Sequence, residues 1–577
     1  MTHSNQSINQ SGGAFRRGGR LACLALAGLG AALVGNGCSL VLSFDECKSD
    51  SDCDFGKGGT CNNGMCVTEV ADGDGDGDGD ATSDTDGDGD GDGDETETGD
   101  GDGEPGSDCS THTECVEAHN NNWLCGPEGT CMSGITSECQ TLRWPGGVVR
   151  DDVVFVGSIM PTSPPFDTLV IPIQNAMQLA FEDFNKEAAL PNGEKLAWIA
   201  CDSKGSTPLA KVAAEHLVSV GVPAIVGPVF SENVIAVAED VTIPAGVFLI
   251  TPTGTNKAIT SLDDDDLVWR PIASDVYQAN ALADRMNAVA STTGTVILYK
   301  NDAYGNDLAA DAFAKLSPSL TANTKTYAYN VFADMDELQG ELGTVLAPVI
   351  ANDQPETVVI VGTSEAALIM LMYLQIASEI DLALMPQKFI LTHGAVPSMP
   401  TTVNNAPEPA KPLFYAIMEG VAPIIFDENN FAAFNIRYKF RFNDQDAITT
   451  SSLSYDSLLV AAFAMSAIPA GEPITGANIA AQMGKLVDPN GAVISFSGGT
   501  TFISTAVNAL TTGNAVNLQG VSGPLDFDLE TGDVRTNLLG WQSEPIGGDL
   551  SKPTIVPKRI YLLNPEPAED GNWMDLP

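Results

Sequence analysis

An enzyme needs a nucleophile, a general base or a metal set, and this 577-residue chain is poor in all three. Its five histidines are His3, His112, His119, His216 and His393. His3 falls in an N-terminal targeting segment, His112 and His119 sit among cysteines, and His216 lies beside core positions of an amphipathic helix, where a structural role is expected. No G-x-S-x-G elbow, H-E-x-x-H helix, P-loop or G-x-G-x-x-G turn stands where a strand meets a helix. Cys201 is the only cysteine after residue 139, and nothing around it argues for an activated thiolate. Binding chemistry is better provided for. The segments Gly227-Pro228-Val229-Phe230-Ser231 and Thr251-Pro252-Thr253-Gly254-Thr255-Asn256 each follow a short apolar run. In open parallel sheets, ligands lie beyond the carboxyl ends of the strands, where such loops present hydroxyls and free N–H groups. Ser231, Thr253 and Thr255, with Gly254 permitting close approach, could hold a carboxylate or an amide; Ser231 and Thr255 could equally serve to cap helices.

The elements that must position these loops are legible from residue 145 onward. Val153 to Gly157, Leu196 to Ala200, Ala224 to Val226, Val247 to Thr251, Thr295 to Tyr299, Thr357 to Val361 and Phe389 to Thr392 are apolar runs of strand length. Between the first two, Ile173, Ala176, Met177, Ala180, Phe181 and Phe184 recur at helical spacing. Thr207-Pro208 opens a second helix as N-cap and first-turn proline, Leu209, Val212, Ala213, Leu217 and Val220 line it, and Gly221 ends it. Repeated βα units of this kind make a doubly wound parallel sheet, and the number of strands calls for two such sheets.

The N-terminal part is of another kind. Eleven of the twelve cysteines precede residue 140, which points to an oxidising compartment and small stapled modules. Arg16, Arg17 and Arg20 precede the apolar run Leu21 to Val34, too short for a stable membrane span, so residues 1–38 read as a secretory signal. It ends in Gly35-Asn36-Gly37-Cys38-Ser39, which resembles a lipoprotein box that would make Cys38 the diacylated mature N-terminus; a simply secreted chain with an unmodified Cys38 is the alternative. Cys47, Cys53, Cys61 and Cys66 form one four-cysteine module within residues 39–67, and Cys109, Cys115, Cys125 and Cys131 a second within 109–140. Neither has tight C-x-x-C knuckles for zinc, so two disulfides per module are expected. Removing Cys23 of the signal, Cys38 and these two modules leaves Cys139 and Cys201, which we expect to pair.

Residues 68–108 separate the modules, and from 71 to 108 there are 17 acidic residues and no basic one, mostly as Asp-Gly repeats. Such a segment cannot bury a core and reads as a disordered linker, about 35 Å end to end as a neutral flexible chain and longer when charged. Asp86, Asp88, Asp90, Gly91 and Glu97 satisfy a calcium-loop pattern, but any Asp-Gly repeat ending in Glu does, and no flanking helices would hold the loop. No metal site and no cofactor is expected. The net charge of −49 argues against nucleic acid as a partner, and no second apolar stretch of spanning length follows the signal.

From Val153 to Asn564 the chain resembles the type I periplasmic binding proteins, specifically the branched-chain amino-acid and amide receptors of ABC importers. The resemblance rests on ordered landmarks. They are Ala200-Cys201-Asp202; Ala224-Ile225-Val226-Gly227-Pro228 with Ser231; Thr251 to Asn256; and Trp269-Arg270 followed by Gln278. Asp302-Ala303-Tyr304-Gly305, Ser454-Tyr455-Asp456 and Val521 to Asp528 continue the series. It implies a clamshell over residues 145–577, two α/β lobes joined by a three-strand hinge and closing on a small ligand. Ser231, Thr253 and Thr255 match positions that hold a ligand carboxylate or amide, and Tyr304 and Tyr455 match aromatic pocket walls. The chain also departs from the pattern. His393 stands where amino-acid receptors place an acidic residue for the ligand ammonium, and Glu365 stands near the place of an expected aromatic. Phe230 replaces the cysteine that would pair with Cys201 inside the lobe, in keeping with a Cys139 partner.

The function these features imply is a lipid-anchored, extracytoplasmic solute-binding protein without catalysis. It would close on an amino acid, amide or peptide-like ligand and present it to an ABC permease. A cell-surface sensor or adhesion-type receptor with the same clamshell but no transport partner is the alternative, motivated by the disulfide modules and acidic tether. Either would sit in the periplasm or on the cell surface.

Overall fold

A computed structural model describes residues 59–62, 65–68, 107–332, 334–408, 411–423, 428–496, 499–565 and 570–576. Residues 31–101 and 102–577 belong to separate compact units. Cys38, the signal, the calcium-loop pattern and most of the first cysteine module and linker lie outside the described residues. Of the first module, the antiparallel hairpin of β1 (Gly59–Asn62) and β2 (Met65–Thr68) is described, with Cys61 opposite Cys66 in register.

In the second module a short helix, α1 (His112–Ala118), precedes the hairpin of β3 (Trp123–Cys125) and β4 (Cys131–Ser133), where Cys125 stands opposite Cys131. In both hairpins the third and fourth cysteines of the module stand opposite each other. Disulfides join Cys109 to Cys125 and Cys115 to Cys131. They occupy all four thiols that a metal would need.

The module leads directly into the first lobe. Strand β5 (Thr141–Arg143) adds antiparallel to β7 (Lys195–Asp202) at the edge of a six-stranded sheet, and Cys139 pairs with Cys201 beside it. The expected disulfide is therefore present, and β5 covers an edge that would otherwise offer unpaired backbone groups. The rest of that sheet is parallel: β6 (Val153–Met160) pairs with β7 and with β8 (Ala224–Val226), which pairs with β9 (Phe248–Ile250) and that with β10 (Val268–Trp269). Helix α2 (Asp167–Glu187) buries Ile173, Ala176, Met177, Ala180, Phe181 and Phe184, as their spacing predicts. Helix α3 (Thr207–Val220) differs in detail. Ser206 is its N-cap residue, Thr207 already helical; Val212 is 45 % exposed, and Ala210 and Ala214 are buried instead. Gly221 ends it in the left-handed conformation, and His216 bonds the Gly134 carbonyl of the cysteine module at 3.2 Å, a structural role.

The second lobe is an eight-stranded sheet. Parallel β11 (Thr295–Lys300), β12 (Thr324–Tyr329), β13 (Thr357–Val361), β14 (Lys388–Leu391) and β15 (Met418–Ala422) form one side. An antiparallel meander of β16 (Leu538–Pro545), β17 (Pro553–Leu563) and β18 (Gly571–Asp575) completes it. The chain passes between the lobes three times, because residues 428–534 return to the first lobe and pack Phe434, Tyr455, Phe496 and Val534 into its core. At the crossing, Arg270 bridges in parallel to Asp533.

Candidate functional site

Both lobes turn the carboxyl ends of their strands toward one cleft. Val229, Phe230 and Ser231 follow β8, and Thr253 and Thr255 follow β9. From the second lobe, Asp302 and Tyr304 follow β11, Thr363 follows β13, and His393, Gly394 and Pro397 follow β14. Leu169 and Ile173 of α2 and Thr450 complete the wall. Five of the expected residues, Ser231, Thr253, Thr255, Tyr304 and His393, are thus brought together.

The first-lobe wall is held from within. Gly227 turns the chain out of β8 at φ +108°, where a Cβ would lie 2.3 Å from the Ile159 carbonyl oxygen, so only glycine fits. The following Ser231 opens α4 (Ser231–Val237), and its hydroxyl accepts the Thr255 and Asn256 N–H groups at 3.2 Å each. Thr253 donates to the Val229 carbonyl at 2.8 Å and Thr255 to Asp275 at 3.0 Å. Gly254 lies just behind the cleft; its N–H donates to Thr251 Oγ1, and its carbonyl accepts from Arg270. That arginine is fully buried, pairs with Asp533 at 2.5 and 2.9 Å, and also donates to the Asn256 carbonyl at 2.9 Å. One guanidinium therefore fixes the loop and ties it to the returning crossover.

In the second lobe, Asp302 caps α6, the helix Ala303–Ala314, by accepting from Gly305 N–H at 2.8 Å, and its other oxygen meets Lys300 at 2.8 Å. A Cβ on Gly305 would fall 2.0 Å from the Lys300 carbonyl oxygen, which explains the glycine after Tyr304. Lys300 also lies 4.9 Å from the centre of the Phe230 ring across the cleft. Tyr304 is 6 % exposed and its hydroxyl has no hydrogen-bond partner. His393 stands edge-on to it, with ring centres 5.7 Å apart, and bonds Gln278 Oε1 through Nδ1 at 3.1 Å. Gln278, on α5 (Asp275–Val289), donates its amide to Asp275 at 2.8 Å, so its oxygen accepts and His393 Nδ1 carries the proton. Burial pushes His393 down to about 4 and Asp275 up to about 7. At neutral pH the imidazole is uncharged and offers Nε2 as an acceptor. At the rim, Asn256 of the first lobe bonds the Ala303 carbonyl at 2.6 Å and Asp307 at 3.0 Å, and Lys257 pairs with Asp311 at 2.8 Å.

Two expected residues lie elsewhere. Tyr455 is fully buried in the first-lobe core, its hydroxyl on Asp183 at 2.8 Å and its ring 5.2 Å from Phe434. It sits on α7 (Thr449–Ser466) five residues beyond Thr450, roughly 140° further round the helix, so it faces away from the cleft. Glu365 is buried behind the wall, accepting from Tyr329 at 2.8 Å and from Thr363 N–H and hydroxyl at 2.9 and 2.5 Å. It holds Thr363 and does not line the cleft. Thr450 is a further lining residue. It is 6 % exposed with an unpartnered hydroxyl, and no motif marks it. The neighbouring Asp456 accepts from Val521 N–H and from Ser522, so two sequence landmarks hold each other.

Residues 153–372 match the family model described as periplasmic binding protein. This segment belongs to the periplasmic binding protein family. Over 160 residues, 28 % of this chain, it is 31 % identical to the Leu/Ile/Val-binding protein BraC3 of Rhizobium johnstonii; the match spans 42 % of that relative's length. The leucine-binding protein LivK of Thermotoga maritima superposes with a TM-score of 0.52 at 18 % identity, covering 72 % of this chain and 99 % of that one. A solute-binding protein of an ABC transporter from Rhodopseudomonas palustris, in complex with 3,4-dihydroxybenzoic acid, superposes at 0.50 with 17 % identity, covering 69 % and 94 %. These likenesses extend the type I fold over both lobes of the periplasmic binding protein unit.

Proposed function

We propose that this chain is an extracytoplasmic solute-binding protein, anchored through a lipid on Cys38, that closes its lobes on a small ligand and hands it to an ABC permease without chemical change. The observation that carries the reading is the cleft itself: two lobes present the carboxyl ends of their strands to one another, with buried, unpartnered hydroxyls on both walls. Ligand contacts come from Ser231, Thr253, Thr255, Tyr304 and His393, with Gly254 shaping the loop and Glu365 holding Thr363. The relatives' names support an amino acid or a small organic acid as the solute and a transporter as the partner. Hinge closure then turns occupancy into a shape that a partner can read.

A thermal shift of the full chain against amino acids, amides, organic acids, short peptides, sugars and purines tests this. A ligand at a hundredfold its dissociation constant adds about 2.7 kcal/mol and raises the midpoint. No shift across the panel would overturn the reading. A second reading, a cell-surface receptor with no permease, is favoured by one feature: a disulfide module built directly onto the first-lobe sheet, which solute delivery does not require. Detection of the protein on intact cells would favour it.

A further inference from the structure

The cleft's donors and acceptors are unequal. Of its hydroxyls, Thr253, Thr255 and Thr363 spend their hydrogens inside the protein, on Val229, Asp275 and Glu365. Ser231 accepts two backbone N–H groups, which leaves its own hydrogen free. Tyr304 and Thr450 have no partner, and both are more than nine-tenths buried. Three O–H donors from the two lobes therefore want an acceptor-rich group, since a buried donor left unmade is costly.

The carboxylates tell the opposite story for a cation. Among the described residues Asp302 is the one acidic side chain lining the cleft, and its oxygens are taken by Gly305 N–H and Lys300. Glu365 and Asp275 lie behind the wall, each engaged by protein donors. His393 offers only a neutral acceptor, because its Nδ1–H is committed to Gln278. An ammonium placed here would lose its water without a counter-charge. The remaining wall, Leu169, Ile173, Val229, Phe230 and Pro397, is apolar.

Resting on the solute-binding reading, we propose that the cleft selects small carboxylic acids with an apolar body and no ammonium group, and rejects the α-amino acid of the same skeleton. The carboxylate takes the Ser231, Tyr304 and Thr450 hydroxyls, and the apolar body fills the space between Leu169, Ile173 and Phe230.

The test is calorimetric titration of the full chain with 4-methylpentanoate and with leucine, which share a carbon skeleton and differ by the ammonium. The acid binds tighter by about tenfold or more. His393→Asp, which supplies a carboxylate for an ammonium, moves the preference toward leucine by about tenfold; should that variant not fold, the wild-type pair decides alone. Leucine binding as tightly as the acid, or tighter, overturns the selectivity and leaves the solute-binding reading intact. So does a sugar or purine that binds in place of both. Silence from both compounds and from the whole panel overturns the selectivity and that reading together.

Discussion

In the first lobe, Ser231, Thr253 and Thr255 are hydrogen-bonded within the lobe or to Asp275, and Arg270 locks their loop to Asp533. In the second lobe, Tyr304 has a buried hydroxyl with no partner, and His393 is tied by a single nitrogen to Gln278. The first wall's loop is preorganised by its own bonds, with only the Ser231 hydrogen and the Thr450 hydroxyl left to give; on the second wall the Tyr304 hydroxyl takes no part in holding its loop. The difference teaches that loop hydroxyls can build a cleft as much as grip its contents, so substitutions on the two walls should separate stability from affinity.

The largest effect is expected where the first wall is anchored. Arg270→Ala leaves Asp533 buried without its partner and frees the Gly254 and Asn256 carbonyls, costing about 3–5 kcal/mol in denaturant unfolding. Next is a pH effect on the second wall. Since burial holds His393 near 4 and an unfolded histidine titrates near 6.5, the unfolded chain binds a proton in that window that the folded chain refuses. On this account stability falls as pH drops from 6.5 to 4, by up to about 1.4 kcal/mol per pH unit, and does not change above 6.5. Asp275 and Asp456, raised to about 7 and about 6, act in the opposite sense as pH falls. Comparing melts of the wild type and His393→Asn across pH 4–7 isolates the histidine, whose acid-side loss the variant should lack. Ser231→Ala removes the acceptor of two buried N–H groups and should lower stability by about 1–3 kcal/mol. Tyr304→Phe is the smallest change. It should leave stability within about 0.5 kcal/mol while weakening 4-methylpentanoate binding by about 1 kcal/mol. If Tyr304→Phe instead destabilises as much as Ser231→Ala does, the contrast between the walls is lost.

Much of this was written in the sequence where local chemistry and fold agree. The apolar runs place β8 and β13 residue for residue, because a buried parallel strand is read from composition alone. Gly221 and the Ser231 and Thr255 loops were legible for the same reason: turn and strand-end chemistry is local. The resemblance supplies a position for Tyr455 but not the rotation of α7, which puts Thr450 in the cleft and Tyr455 in the core. Glu365 was close in sequence yet lies behind Thr363, a distinction that only the Tyr329 contact reveals. The edge strand β5 and the meander β16 to β18 leave no clear signal in the sequence, because edge pairing depends on which neighbour is free, a non-local fact. The Cys139 to Cys201 bridge follows from elimination among the twelve cysteines, which needs no geometry.

Closure on a ligand is the central claim, and hydrogen exchange of the full chain with and without 4-methylpentanoate tests it most directly. The account predicts increased protection in both walls at once, at residues 229–256 of the first lobe and at residues 302–308 and 391–397 of the second. Protection confined to one lobe, or unchanged in both while the compound binds, would contradict it.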